Sequence, residues 1–213
     1  MKCDKKTVLL YAVTDRAWTQ KQSLYRQVEA ALKGGVTIVQ LREKELDYES
    51  FLDEAVKITA LCKRHKVPCI INDNVDIALK CRADGVHVGQ KDMNISEVRK
   101  LVGENMIIGV SAHTVEEALE AVKNGADYLG AGAVFSTSTK TNVSSLSKET
   151  LKNICAAVNI PVVAIGGINK FNMPELENCG IDGVALVSAV FAADDIENEC
   201  RMLRKLAEKT VKG

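Results

Sequence analysis

Short runs rich in Val, Ile and Leu recur along the chain, at Leu9–Thr14, Thr37–Leu41, Cys69–Asn72, Gly85–Gly89, Ile107–Ser111, Tyr128–Val134, Val162–Ile165 and Gly183–Ser188. Their length and residue type predict eight β-strands. Between them apolar residues step by three or four, as in Phe51, Ala55, Ile58 and Cys62, or Ile196, Cys200, Leu203 and Ala207. Such spacing predicts amphipathic helices. A capping box at Thr114-Val115-Glu116-Glu117, and Asn172 ahead of Pro174 and Glu175, mark two helix starts. The strand runs are continuously apolar, as expected when helices cover the outside of a parallel sheet. Ala83-Asp84-Gly85-Val86, Ala126-Asp127-Tyr128-Leu129 and Ile181-Asp182-Gly183-Val184 form a weak internal repeat, each between a helix and the next strand. Eight βα units in 213 residues predict an α/β fold, a (β/α)8 TIM barrel occupying residues 1–213 as a single domain. An open doubly wound sheet is the alternative, but no GxGxxG follows the first strand.

Composition narrows the function classes. Lys plus Arg and Asp plus Glu both total 28, so the net charge is zero and no overall field draws the chain to nucleic acid or an anionic membrane. The longest apolar run, counting Pro and Gly, is the nine residues from Ile160 to Ile168, about half of the ~18 needed to span a bilayer. The start, Met1-Lys2-Cys3-Asp4-Lys5-Lys6, carries both signs of charge and does not read as a secretory signal. Seven cysteines, none closer than seven positions to the next, fit neither a zinc knuckle nor a full disulfide framework. Reduced, buried thiols in a cytoplasmic protein are the expectation.

Polar residues gather where the predicted strands end, the rim on which a barrel carries its active site. Strand two runs into Gln40-Leu41-Arg42-Glu43-Lys44, strand three into Asn72-Asp73, strand four into Gln90-Lys91-Asp92 and strand five into Ser111-Ala112-His113. Asp73 and Asp92 follow neighbouring strands, and two hard carboxylates beside phosphate oxygens suit Mg²⁺; taken singly, each reads first as a turn, cap or surface residue. Arg42 and Lys44 alternate along an extended segment and so point to one side, and Lys140 adds a cation after Thr137-Ser138-Thr139. A divalent ion among three cations implies a polyanion such as a diphosphate. Gly166-Gly167 and Val187-Ser188 close strands seven and eight, where barrels commonly hold a phosphate. His65 reads as a helix-end residue, His87 as a hydrogen-bonded scaffold residue, and His113 as an acid or base without an evident partner. No Ser, Cys or Thr carries the surroundings of a nucleophile.

The combined motifs resemble the thiamine-phosphate synthase (thiamine phosphate pyrophosphorylase) family nearly end to end. The residues carrying this are Tyr11-Ala12-Val13-Thr14-Asp15, Val39 to Lys44, Ile71-Asn72-Asp73, Gly85 to Gln90, Ile108 to Thr114, Thr137 to Lys140, Val163 to Ile168 and Val187-Ser188. The resemblance implies a transferase joining 4-amino-2-methyl-5-hydroxymethylpyrimidine diphosphate to 4-methyl-5-(2-phosphoethyl)thiazole, plain or carboxylated, with release of diphosphate. It assigns Gln40, Leu41, Arg42, Glu43, Lys44, Asn72, Ser111 and Lys140 to the pyrimidine diphosphate. Arg42, Lys44, Ser111 and Lys140 are its catalytic set, and Asp73 and Asp92 hold one Mg²⁺ per subunit. Thr137, Ser138, Thr139, Gly167, Val187 and Ser188 take the thiazole phosphate. The partners are small molecules, with no nucleic acid or membrane and with a homo-oligomer left open. Three departures stand out: Ala133 after Gly132 and Ser136 before Thr137, where the family usually has Pro, and Thr141-Asn142, where it often has an acidic residue. The rival readings are a thiazole tautomerase of the same fold, a non-catalytic barrel binding thiazole or thiamine phosphate, and another phosphate-binding barrel such as an isomerase.

Overall fold

The structure is a computed structural model that describes residues 3–136 and 146–212. Its eight strands are β1 (Leu10–Val13), β2 (Ile38–Leu41), β3 (Cys69–Asn72), β4 (Gly85–Val88), β5 (Ile107–Ala112), β6 (Tyr128–Gly132), β7 (Val162–Ile165) and β8 (Gly183–Leu186). They are parallel throughout and close in sequence order, β1 pairing with both β2 and β8. The expected barrel is therefore the observed one. Around it lie α1 (Leu24–Lys33), α2 (Tyr48–Arg64), α3 (Val75–Lys80), α4 (Ile95–Val102), α5 (Val115–Lys123), α6 (Lys148–Ala157), α7 (Ser188–Phe191) and α8 (Ile196–Lys212). No described helix is long and apolar enough to cross a membrane.

Strand parity sorts the core into two layers. Leu10, Ala12, Val39, Leu41, Ile71, Val86, Ile108 and Leu129 join the large cluster beneath the helices, whereas Tyr11, Val13, Ile38, Ile70, Ile107, Tyr128, Val163 and Ala185 fill the barrel interior. Gly109 makes that interior possible, because a Cβ there would lie 2.1 Å from the Tyr128 ring. All seven cysteines are free, and Cys62, Cys69 and Cys200 are fully buried.

The aspartate repeat has a structural cause. Asp84, Asp127 and Asp182 precede β4, β6 and β8, and each carboxylate accepts a backbone N–H from the preceding strand, from Cys69 at 2.9 Å, Ile108 at 2.8 Å and Val162 at 3.0 Å. Thr37 does the same ahead of β2, its hydroxyl accepting the Leu10 N–H at 2.9 Å. The N-terminal rim is thus clamped in four strand pairs. This is the stabilising face of a barrel, and it leaves the opposite rim for chemistry.

Two expected helix starts fare differently. Thr114 caps α5 by accepting the Glu117 N–H at 3.2 Å. Asn172 opens only a 3-10 turn, Met173–Leu176, and gives it no side-chain cap. Its side chain is committed elsewhere, accepting the Asn169 N–H and donating to the Gly167 carbonyl at 2.8 and 2.9 Å. Several strands also end earlier than their apolar runs do: β6 stops at Gly132 and β8 at Leu186, so that Ser188 opens α7.

Candidate active site

A cavity of about 330 Å³ opens at the carboxyl ends of the strands. From β2 and its exit it is lined by Gln40, Arg42 and Lys44, from β3 by Asn72 and Asp73, from the β4 exit by Asp92, and from β5 by Ser111. Gly167, Val187 and Ser188 line the side contributed by β7 and β8. The two aspartates therefore face one space from adjacent strands. Leu41 and Glu43 are not brought to it. Leu41 is fully buried under the helices, because strand alternation sends it outward from the barrel. Thr137, Ser138, Thr139 and Lys140 lie outside the described residues, as do Thr141 and Asn142.

The cation-bearing segment after β2 is held from behind. Thr14 accepts the Arg42 N–H at 3.0 Å, and Asp15 meets the Arg42 guanidinium at 3.4 Å. Glu43 turns away from the cavity and accepts the backbone N–H groups of Lys44, Glu45 and Leu46 at 2.7, 2.7 and 3.2 Å. It also pairs with Arg16, whose other arm reaches Glu54 at 2.8 Å. Burial pushes the Glu43 pKa up, but the Glu45 N–H and the Arg16 guanidinium outweigh it, and the carboxyl is held below the usual range. Glu43 is a positioning residue for the segment that carries Arg42 and Lys44.

The carboxylates are equally placed by backbone geometry. Asp73 adopts a positive φ of 63°, its N–H donating to the His87 carbonyl at 2.8 Å. One carboxylate oxygen accepts from the Asn72 amide at 2.7 Å and the other from Lys44 Nζ at 2.5 Å. Asp92 accepts the Gly89 N–H at 2.7 Å, which folds it back over the β4 exit. On the far side Gly166 and Gly167 have φ of 103° and 65°. A Cβ on Gly167 would sit 2.4 Å from the Ser136 carbonyl oxygen, so backbone itself forms this wall.

The floor is a polar chain that the strand-end motifs do not reveal. Gln40 Nε2 donates to the Tyr11 hydroxyl at 2.8 Å, and the Tyr11 and Tyr128 hydroxyls lie 2.7 Å apart. Tyr128 meets His87 Nδ1 at 2.9 Å, and His87 Nε2 meets Ser111 Oγ at 3.0 Å. His87 is thus the hydrogen-bonded residue expected, and it also lines the cavity. Burial pushes the pKa of the Tyr11 and Tyr128 phenols up, so both stay protonated. His113, expected to be without a partner, has one: its ring Nδ1 lies 3.0 Å from Glu117, which also accepts the His113 N–H at 2.7 Å. The capping box put Glu117 there, and the i,i+4 spacing could have revealed the pair.

Cations and carboxylates at the carboxyl-end rim of a barrel, with glycine backbone opposite them and a polar floor between, are the arrangement of a barrel enzyme acting on small molecules. A family model described as thiamine monophosphate synthase matches residues 10–190. Thiamine-phosphate synthase of Clostridium acetobutylicum is 48% identical over 200 residues, covering 94% of this chain and 95% of that protein. That of Clostridioides difficile is 50% identical over 195 residues, covering 92% and 93%. Among solved structures, thiamine phosphate pyrophosphorylase from Pyrococcus furiosus superposes with a TM-score of 0.90 at 39% identity, covering 97% of this chain and 98% of that one. The chain belongs to the thiamine monophosphate synthase family.

Proposed function

We propose that the chain is a Mg²⁺-dependent thiamine-phosphate synthase, a cytoplasmic transferase that displaces diphosphate from 4-amino-2-methyl-5-hydroxymethylpyrimidine diphosphate with the nitrogen of 4-methyl-5-(2-phosphoethyl)thiazole or its carboxylated form. The observation that carries this is the placement of Arg42, Lys44, Asp73 and Asp92 on one wall and Gly167 and Ser188 on the other wall of a single cavity. One wall suits a diphosphate and the other a phosphate monoester. The match to relatives named for this activity supports the same reading.

The donor set fits magnesium. Asp73 and Asp92 offer hard carboxylate oxygens alone, and Mg²⁺ binds through one or two carboxylates with waters and substrate phosphates completing its shell. No group of three or more His, Cys, Asp or Glu side chains with ligand placement occurs among the described residues, so the proposal rests on those two. When bound, the ion neutralises charge that develops on the departing diphosphate.

The chain's own residues do the rest. Arg42 presents a planar fork to phosphate oxygens and Lys44 a compact charge beside Asp73, so both act where negative charge grows as the carbon–oxygen bond breaks. Lys140, by the family motif, joins them at the leaving group. Asn72, Gln40 and Ser111 hold the ring. The electron-rich aminopyrimidine stabilises the positive carbon left behind, and the thiazole nitrogen attacks it while its phosphate is held by Gly167, Val187, Ser188 and the Thr137–Thr139 hydroxyls. No protein nucleophile is required. Holding both rings in one cavity turns a bimolecular step into a local one.

The test is a two-substrate assay with Mg²⁺, reading thiamine phosphate and diphosphate together. Equal amounts of both are expected. Proton exchange on the thiazole phosphate without diphosphate release would instead identify a tautomerase, and binding without turnover a sensor.

A further inference from the structure

The floor of the cavity links five side chains from five strands in one unbroken hydrogen-bonded chain, from Gln40 on β2 through Tyr11 on β1, Tyr128 on β6 and His87 on β4 to Ser111 on β5. Such a chain has a direction. Gln40 Nε2 can only donate, so the Tyr11 oxygen accepts from it. The Tyr11 proton then goes to Tyr128, and the Tyr128 proton to His87 Nδ1. His87 must carry its own proton on Nε2 and donate it to Ser111. In the opposite direction the Tyr11 oxygen would accept from both neighbours. Its own proton would then lack an acceptor among the described residues, at a side chain only 2% exposed.

We propose that Tyr11, Tyr128 and His87 are positioning residues that fix the polarity of the two ends, presenting Gln40 Oε1 to the cavity as a hydrogen-bond acceptor and the Ser111 hydroxyl as a donor, and so select a ring bearing an amino group and an unprotonated ring nitrogen. Gln40 Oε1 has no protein partner among the described residues, because Nε2 is the atom the chain consumes. The selection follows from chemistry. An aminopyrimidine donates through its amine and accepts at its ring nitrogen, whereas the oxo analogue presents a carbonyl oxygen where the amine stood. That oxygen would face another acceptor, which hydrogen-bonding sites reject strongly. The inference rests on the reading that the pyrimidine ring lies over this floor, and it adds what sets the floor's polarity.

Two measurements on the intact protein test it. Nitrogen-15 NMR of histidine-labelled protein reads the tautomer directly, with the His87 signal identified by its loss in His87→Gln. The Nε2–H tautomer is expected in the free protein, and the Nδ1–H tautomer would overturn the proposal. Calorimetric binding then compares the aminopyrimidine diphosphate with its oxo counterpart. Tyr128→Phe keeps the ring's packing but removes the donor to Nδ1, and should lower the amino-over-oxo preference about tenfold, the worth of one net hydrogen bond. His87→Gln, whose amide can still reach Ser111 as a donor, should retain more of the preference than the shorter His87→Asn. An unchanged preference in Tyr128→Phe would overturn the relay. If the tautomer and the preference behave as expected while no thiamine phosphate forms, the relay stands and the proposed reaction fails.

Discussion

Removing the Glu43 carboxylate perturbs the site without touching its lining. In Glu43→Ala three backbone N–H groups, those of Lys44, Glu45 and Leu46, lose their common acceptor, and Arg16 keeps only Glu54. The Glu43 side chain is 1% exposed and that of Arg16 24%, so water compensates the two partners unequally. Breaking one side of a buried pair costs about 3–5 kcal/mol. Glu43→Gln retains one acceptor oxygen and should cost less, about 1–2 kcal/mol. Urea unfolding at neutral pH reads both, provided the slope with denaturant is unchanged. Because the folded carboxyl sits below its unfolded value of about 4.3, its contribution is fully present above that value and is lost as pH falls through the folded one. The gap between wild type and Glu43→Ala should therefore narrow in acid. Lys44 follows directly on the freed turn, so kcat/KM should drop about a hundredfold, as when a catalytic group is misplaced by an ångström. A stability loss under about 1 kcal/mol in Glu43→Ala would refute the reasoning.

Three further outcomes are expected, two from the geometry and one from the family motif that carries Lys140. Gly167→Ala should raise KM for the thiazole phosphate more than for the pyrimidine diphosphate and cost about 1–3 kcal/mol in thermal unfolding, since φ is 65° and the new methyl meets the Ser136 carbonyl. Asp84→Ala, at the opposite rim, should cost about 1–3 kcal/mol by orphaning the Cys69 N–H while leaving both KM values unchanged. Lys140→Ala should lower the condensation rate more than it weakens thiazole phosphate binding, measured by kinetics beside calorimetry; equal losses would move Lys140 to the other substrate.

Much of this architecture is legible in the residue order, because strand runs and helix stripes have distinct periods and a barrel closes in sequence order. The cavity rim is legible for the same reason: Asn72-Asp73, Ser111 and Gly166-Gly167 sit where strands end and line the cavity. What stays hidden depends on contacts far apart in the chain. Tyr11 and Tyr128 are 117 residues apart and meet only because β1 and β6 face each other across the interior. Each looks like one more apolar strand residue until parity is applied. Parity also separates Leu41 and Glu43 from Gln40, Arg42 and Lys44, although the five stand together as one motif. Asn172 misled for another reason: an amide ahead of proline has the form of a cap, but here it serves the Gly167 carbonyl instead.

The proposed reaction depends on Mg²⁺ held by Asp73 and Asp92. Condensation rate should be measured against free Mg²⁺ for the wild type, Asp73→Asn and Asp92→Asn, with a chelator control. Each variant should need at least about tenfold more Mg²⁺ for half-maximal rate, and the chelator should stop the wild type until Mg²⁺ is restored. Undiminished turnover in chelator, or a Mg²⁺ dependence that neither substitution moves, would contradict it.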